Sequence, residues 1–221
     1  MNMIPSAQGK EKSATRDCYL RLRHLILTGE MPPGKKLKIE ELRALLKTGA
    51  SPVREALSLL TSDMLVERID QRGFRAAPVS KSNFQEILML RCALEDMALR
   101  ASIANANTKW EERIVLAHHR MTRTDRNETE LFEEVHKDFH LALINNSNMP
   151  TLQRYCEQLY DLNIRYRYLA ADGPRYGERS VAKEHEEIFD ATIKRDADAA
   201  SALLISHYRR TGEYFISQMD N

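Results

Sequence analysis

The sequence predicts a mainly α protein: a small N-terminal winged helix-turn-helix followed by an all-α antiparallel helical bundle. Three observations lead there. Residues 39–47 and 51–60 are two short helix patterns joined by a break containing Gly49. Residues 65–69 and 74–78 read as strands on either side of the turn Asp70-Gln71-Arg72-Gly73. Beyond residue 82, apolar residues recur at helical spacing and no strand alternation survives.

Taken in order, residues 1–13 are polar and read as a disordered leader, with no apolar signal-peptide core. A helix is expected over 15–28, with Tyr19, Leu20, Leu22, Leu25 and Ile26 as its apolar contacts and Gly29 as its stop. Met31-Pro32-Pro33-Gly34 makes a rigid turn, and Lys35-Lys36-Leu37-Lys38 an extended link into the first helix of the pair. In the second helix Ser51 is the expected N-cap and Pro52 the first helical residue. Val53, Ala56, Leu57 and Leu60 form its apolar face, leaving Ser51, Arg54 and Ser58 outside it. This pair on its own is equally consistent with an ordinary helical hairpin; the hairpin of strands behind it, with an arginine at the tip, is what adds a wing. A DNA-binding domain is therefore expected over 14–79, a hinge over 80–82, and an effector-binding and dimerisation domain over 83–221. Within the last, helices are expected at 82–105, 110–124, 128–146, 151–170, 179–194 and 197–218, with breaks such as Asp172-Gly173-Pro174 between them.

Composition narrows the function classes. The chain has 221 residues, 43% hydrophobic, enough for one large or two small cores. Mean hydropathy is −0.51, and no apolar run approaches the roughly 18–20 residues a bilayer span needs, so no membrane partner is expected. Cys18, Cys92 and Cys156 are few and far apart, which argues against a disulfide framework or a zinc knuckle and for a reducing cytoplasm. Net charge is only +1, yet residues 1–80 hold 14 Lys and Arg against 9 Asp and Glu, a net of +5, and the remainder nets −4. A basic third beside an acidic remainder fits a polyanion partner for one part only.

Four of the seven histidines form a constellation. His136 and His140 lie one turn apart on one helix, His185 and His207 on two later ones, all beside apolar residues. A single inward histidine is usually a satisfied core residue. Four on three helices of one bundle would leave much polar burial unpaired unless they met, and a shared metal removes that cost. An all-imidazole set suits Zn²⁺, Ni²⁺ or Cu²⁺. His118 and His119, side by side, cannot share a face and are expected to be solvated, as is His24. Arg91, four residues before Glu95, is either a surface ion pair worth a few tenths of a kcal/mol or an inward guanidinium for a carboxylate. Arg165 offers the same chemistry.

Several motifs carry a resemblance. Residues 27–34 (LTGEMPPG), Pro52-Val53-Arg54-Glu55-Ala56-Leu57 and Leu65-Val66-Glu67-Arg68 resemble the winged helix of GntR-type transcriptional regulators. Arg91-Cys92-Ala93-Leu94-Glu95, Phe139-His140, Asn148-Met149-Pro150, Glu184-His185 and residues 196–200 (DADAA) resemble the FadR-type helical effector domain called FCD. The resemblance implies a homodimer on a pseudo-palindromic double-stranded DNA operator, with a small carboxylate effector at a divalent metal; with the imidazole set above, Zn or Ni is the expected ion. It implies a metal set of one Asp and three His; the histidines carry over as His140, His185 and His207, and His136 stands at the aspartate position. Lys38, Lys47, Ser51, Arg54, Arg72 and Gly73 are the expected DNA contacts, and Arg91 and Arg165 the effector contacts. Two departures stand out. Ala50 replaces an arginine that commonly reads guanine, a fork worth about 1–3 kcal/mol of discrimination. Met64 stands where a helix-ending glycine is usual, a change that costs local stability.

A helical metal-dependent enzyme using the same histidines is the alternative. Glu133-Glu134-Val135-His136 holds one Glu-x-x-His, but neither His185 nor His207 has a Glu three residues before it, and no His-Glu-x-x-His occurs. A purely structural dimerisation bundle is a third reading. The sequence favours a regulator, not an enzyme.

Overall fold

The computed structural model describes residues 7–169 and 179–219. The chain divides into two compact units, residues 1–80 with 164–171, and residues 81–163 with 172–221.

The first unit begins with α1, Ala7–Leu27. That helix starts inside the stretch read above as a leader, because Ala7, Gln8, Lys10, Glu11 and Lys12 are good helix formers and the single Gly9 costs only about 1 kcal/mol. Residues 1–6 lie outside the described residues. The link expected after the Pro-Pro turn is a short strand, β1 (Lys36–Leu37), which leads into α2 (Ile39–Leu46) and α3 (Ala50–Ser62). The wing strands are β2 (Val66–Ile69) and β3 (Gly73–Ala76). The sheet order is β1-β3-β2, all antiparallel, with Leu37 opposite Phe74 and Val66 opposite Ala76. Gly73, expected in the turn, opens β3 with φ +92°. Leu22 and Ile26 of α1 pack with Val53, Ala56, Leu57 and Leu60 of α3, all fully buried. Side-chain bonds tie α1 to α3 and its C-cap: Thr15 donates to Glu55 at 2.8 Å and Tyr19 to Asp63 at 2.8 Å.

The N-cap of α3 is Gly49, not Ser51, and it makes no side-chain cap bond. Ser51 instead donates to Glu55 Oε1 at 3.2 Å. Pro52 still falls in the first turn, where a missing N–H costs nothing. At the other end, Met64 takes the left-handed conformation at φ +61°. Its N–H donates to the Thr61 carbonyl at 3.1 Å and the Leu65 N–H to the Leu60 carbonyl at 3.0 Å, the paired bonds of a Schellman motif.

The second unit is a helical bundle: α4 (Lys81–Ala104), α5 (Thr108–Arg123), α6 (Thr129–Ile144), most of α7 (Pro150–Leu169), α8 (Val181–Ile193) and α9 (Ala197–Met219). Helix α4 already includes Lys81 and Ser82 of the expected hinge. The expected break at Asp172-Gly173-Pro174 lies outside the described residues. Helix α4 packs on α6 and α9, α8 on α5 and α9, and α5 on α6. Trp110, Ile114, Phe139, Leu143, Ile188 and Leu204 fill the centre. The Asn107 side chain caps α5 by accepting the Trp110 N–H at 3.0 Å, and the Trp110 indole donates to the Ala142 carbonyl at 2.8 Å. Helix α9 comes so close to α4 that a Cβ on Gly212 would lie 2.2 Å from Leu88 Cδ2.

Candidate functional site

Helical spacing places His136 and His140 on the inner face of α6, opposite His185 of α8 and His207 of α9. All four are buried, at 4%, 1%, 1% and 4% exposure. Each offers a ring nitrogen, and these nitrogens lie within 4.8 Å of one another. The Nε2 atoms of His136 and His140 are 3.2 Å apart. Two imidazole nitrogens bound to one tetrahedral ion at Zn–N distances sit about 3.3 Å apart, so the spacing suits a shared ion.

The outer faces of the rings are held by hydrogen-bonding groups. His136 Nδ1 is 2.8 Å from the Tyr160 hydroxyl and 3.7 Å from Glu133 Oε2. His140 Nδ1 is 3.0 Å from the Tyr208 hydroxyl, which donates to Glu95 Oε2 at 2.5 Å. His207 Nδ1 is 2.9 Å from Glu184 Oε2. A carboxylate only accepts, so His207 carries its proton on Nδ1 and turns the Nε2 lone pair away from Glu184. Glu184 also takes Arg179 on both oxygens, with Nε to Oε1 at 2.6 Å, and Arg210 at 2.7 Å. Burial alone would raise the Glu184 carboxyl; the hydrogen bonds from Arg179 and His207 override it and hold it at about 2.

Arg91 is the inward guanidinium rather than the surface pair. It is 4% exposed. Its Nε donates to Glu95 Oε1 at 2.7 Å and one terminal nitrogen to Asn163 Oδ1 at 2.9 Å. Its guanidinium carbon stands 4.1 Å from the Tyr208 ring centre. The other terminal nitrogen is buried with no hydrogen-bond partner among the described residues. Arg165 is equally buried, at 2%, but it groups with the first unit and donates to the Ala77 carbonyl at 2.6 Å.

His118 corrects an expectation. It is half-buried, stacked on Phe189 with ring centres 4.3 Å apart and planes 9° from parallel. Its Nε2 is buried without a partner among the described residues. Burial lowers its pKa despite Glu186 and Asp190. His119 and His24 are exposed, as expected. The supporting residues Tyr160, Asn163 and Arg179 carried no signal in the sequence; Tyr208 only adjoins His207, and Glu184 entered only as part of the Glu184-His185 motif.

In the first unit, Ser51, Arg54 and Ser58 are exposed along α3. Lys47 is exposed at the turn between α2 and α3, in the left-handed conformation at φ +53°. Arg72 and Gly73 are exposed at the wing tip. Lys38 is exposed and pairs with Glu41 at 2.6 Å. Ala50, at the first turn of α3, offers only a methyl group.

Comparison with known proteins agrees with this architecture. Residues 14–75 match the family described as bacterial regulatory proteins, gntR family, and residues 86–210 match the FCD domain. The chain is 37% identical to the HTH-type transcriptional regulator BphR of Paraburkholderia xenovorans, over 89% of this chain and 82% of that one. It is 28% identical to the HTH-type transcriptional repressor GlaR of Escherichia coli, over 86% and 90%. The solved structure of E. coli McbR/YncC superposes with a TM-score of 0.80 over 94% of this chain and 99% of that one, at 23% identity. These relatives are transcriptional regulators and not enzymes. With a gntR-type winged helix at its N-terminus and an FCD domain behind it, the chain belongs to the GntR family of transcriptional regulators.

Proposed function

We propose that the protein is a cytoplasmic, homodimeric regulator that binds a pseudo-palindromic operator and responds to a small carboxylate held at a divalent metal. In this reading residues 14–79 bind DNA and 83–221 bind the effector and dimerise. Ser51 and Arg54 enter or border the major groove, and Arg72 and Gly73 form the wing tip. Lys38 and Lys47 contact phosphates, giving affinity and salt dependence rather than sequence choice. His136, His140, His185 and His207 hold Zn²⁺ or Ni²⁺, which supplies a Lewis-acidic position for a carboxylate oxygen.

The observation that carries the effector reading is Arg91. A buried guanidinium nitrogen with no hydrogen-bond partner among the described residues, one tyrosine away from a four-imidazole cluster, is a poor arrangement for stability alone. A bound carboxylate satisfies it. Arg165, engaged with Ala77, is a secondary candidate.

Native mass spectrometry of full-length protein purified from cells tests the reading in one measurement. The expected species is a dimer with one metal ion per chain and a retained organic acid. A metal-free monomer that nevertheless binds selected DNA fragments would refute the dimer and the metal centre together. Binding of the selected fragment should weaken steeply as salt rises, whereas an affinity independent of salt would remove the phosphate contacts.

A further inference from the structure

Between His140 and Arg91 lies a chain of hydrogen bonds whose proton order is set by chemistry. Glu95 is a carboxylate and has only acceptors to offer. Its Oε1 takes the Arg91 Nε–H at 2.7 Å and its Oε2 takes the Tyr208 O–H at 2.5 Å. Tyr208 has one proton, already given to Glu95, so its oxygen can only accept from His140 Nδ1, 3.0 Å away. The reverse order would place an unprotonated carboxylate oxygen 2.5 Å from a phenolic oxygen with nothing between them. His140 is therefore protonated on Nδ1, and its Nε2 lone pair faces His136.

We propose that Tyr208 and Glu95 are positioning residues that fix the tautomer of His140 as a metal ligand and tie the metal centre to the Arg91 guanidinium. Neither touches the metal. The proposal rests on the metal-centre reading for its purpose, but the tautomer itself is a property of the metal-free chain. The same two residues serve both ends. Glu95 orients the Arg91 fork with the oxygen that Tyr208 leaves unused, and the Tyr208 ring lies under the guanidinium at 4.1 Å. One carboxylate thus prepares the ligand for the cation and the fork for the anion.

An isosteric change separates this from simple packing. In Glu95→Gln the single carbonyl oxygen is claimed by Arg91 Nε–H, and the amide nitrogen turns its protons to Tyr208. The Tyr208 hydroxyl keeps its proton and turns to donate it as a hydrogen bond to His140 Nδ1, which must then accept, so His140 carries its own proton on Nε2, the wrong tautomer for the cluster. In Tyr208→Phe the ring under Arg91 stays and only the orienting oxygen is lost.

The test uses full-length protein and Zn²⁺ alone, with affinity measured by competition against a chromogenic chelator. The His140 tautomer is read from imidazole ¹⁵N shifts of the metal-free protein. Wild type should show His140 protonated on Nδ1. Tyr208→Phe should give mixed tautomers and lose about 10–100-fold in Zn²⁺ affinity, the usual scale for removing a group that orients a metal ligand. Glu95→Gln should move the proton to Nε2 and lose at least as much. An Nε2–H His140 in wild type overturns the proposal without any variant, which covers the case where Glu95→Gln, with Arg91 left uncompensated, fails to fold. Unaltered tautomer and Zn²⁺ affinity in a folded Tyr208→Phe also overturns it. Wild type that binds no Zn²⁺ sinks the metal-centre reading, while the ¹⁵N result still decides the relay.

Discussion

Arg54 and His118 show how differently two side chains can depart from their neighbourhood. Arg54 is exposed on α3 and supports no packing, so Arg54→Ala should leave the melting temperature within a degree or two. Operator affinity should fall about 10–100-fold, the scale of one lost arginine fork on a base; fluorescence anisotropy at fixed salt checks this. On the proposed reading, Ala50 brings only a methyl group to the same end of α3 and cannot compensate. His118 is an imidazole placed where a ring is wanted and a charge is not. Its pKa is lowered first by burial and further by His119, with Glu186 and Asp190 opposing. The sign follows: below the unfolded value near 6.5 the unfolded chain binds a proton that the folded chain resists, so stability falls as pH drops through that region. His118→Phe keeps the stack on Phe189 and removes a buried nitrogen that has no partner among the described residues. Thermal melts should show the variant losing less stability than wild type between pH 7 and 5.5. Adjacency of His118 and His119 made both look solvated, because sequence spacing says that two neighbours diverge but not which of them turns inward.

Helix ends and helix crossings set the limits of the elements. The C-terminus of α3 is closed by a Schellman motif with Met64 in the left-handed conformation, which costs an L-residue roughly 1–2 kcal/mol and glycine little. Met64 is also largely exposed, so its side chain has little packing to lose. Met64→Gly should therefore stabilise the protein by about 1 kcal/mol in urea denaturation, less whatever glycine gives back in unfolded-chain entropy. Gly212 is the converse. Gly212→Ala drives a methyl into Leu88, and forcing α4 and α9 apart should cost about 1–3 kcal/mol by the same measurement. The Met64 cost was readable only through the family resemblance, which puts a helix-ending glycine at that position. The Gly212 approach was not, since residues 88 and 212 meet only through the tertiary fold. The N-cap of α3 fell on Gly49 although a serine before a proline is a good local start: the helix begins at Ala50, just after the left-handed Lys47 and the extended Gly49.

At the scale of the whole molecule, the two-part plan was legible because charge, turn residues and hydrophobic period all change near residue 80. The histidine cluster was legible too, as four inward positions on three helices. What surrounds it was not. Tyr208 reaches Glu95 across 113 residues of sequence, and helical phase gives the face of a residue without naming the residue it meets. Arg179 shows what such a contact does beyond holding Glu184. It precedes the first turn of α8, its side chain is only 8% exposed, and it donates to Glu184, to the His207 carbonyl at 3.1 Å and to Thr211 at 3.1 Å. A trypsin-like protease must withdraw that guanidinium into its own acidic specificity pocket before it can cut the following peptide bond. Cleavage after Arg179 therefore requires the cage around His207 to open, and when opening and closing are fast its rate reports the open population. Saturating Zn²⁺ should slow that one cut while leaving cuts at exposed sites such as Arg72 unchanged, and a peptide map of a short digestion reads both together. The residue that braces the histidine cluster is thus also a built-in clock for how often that cluster comes apart.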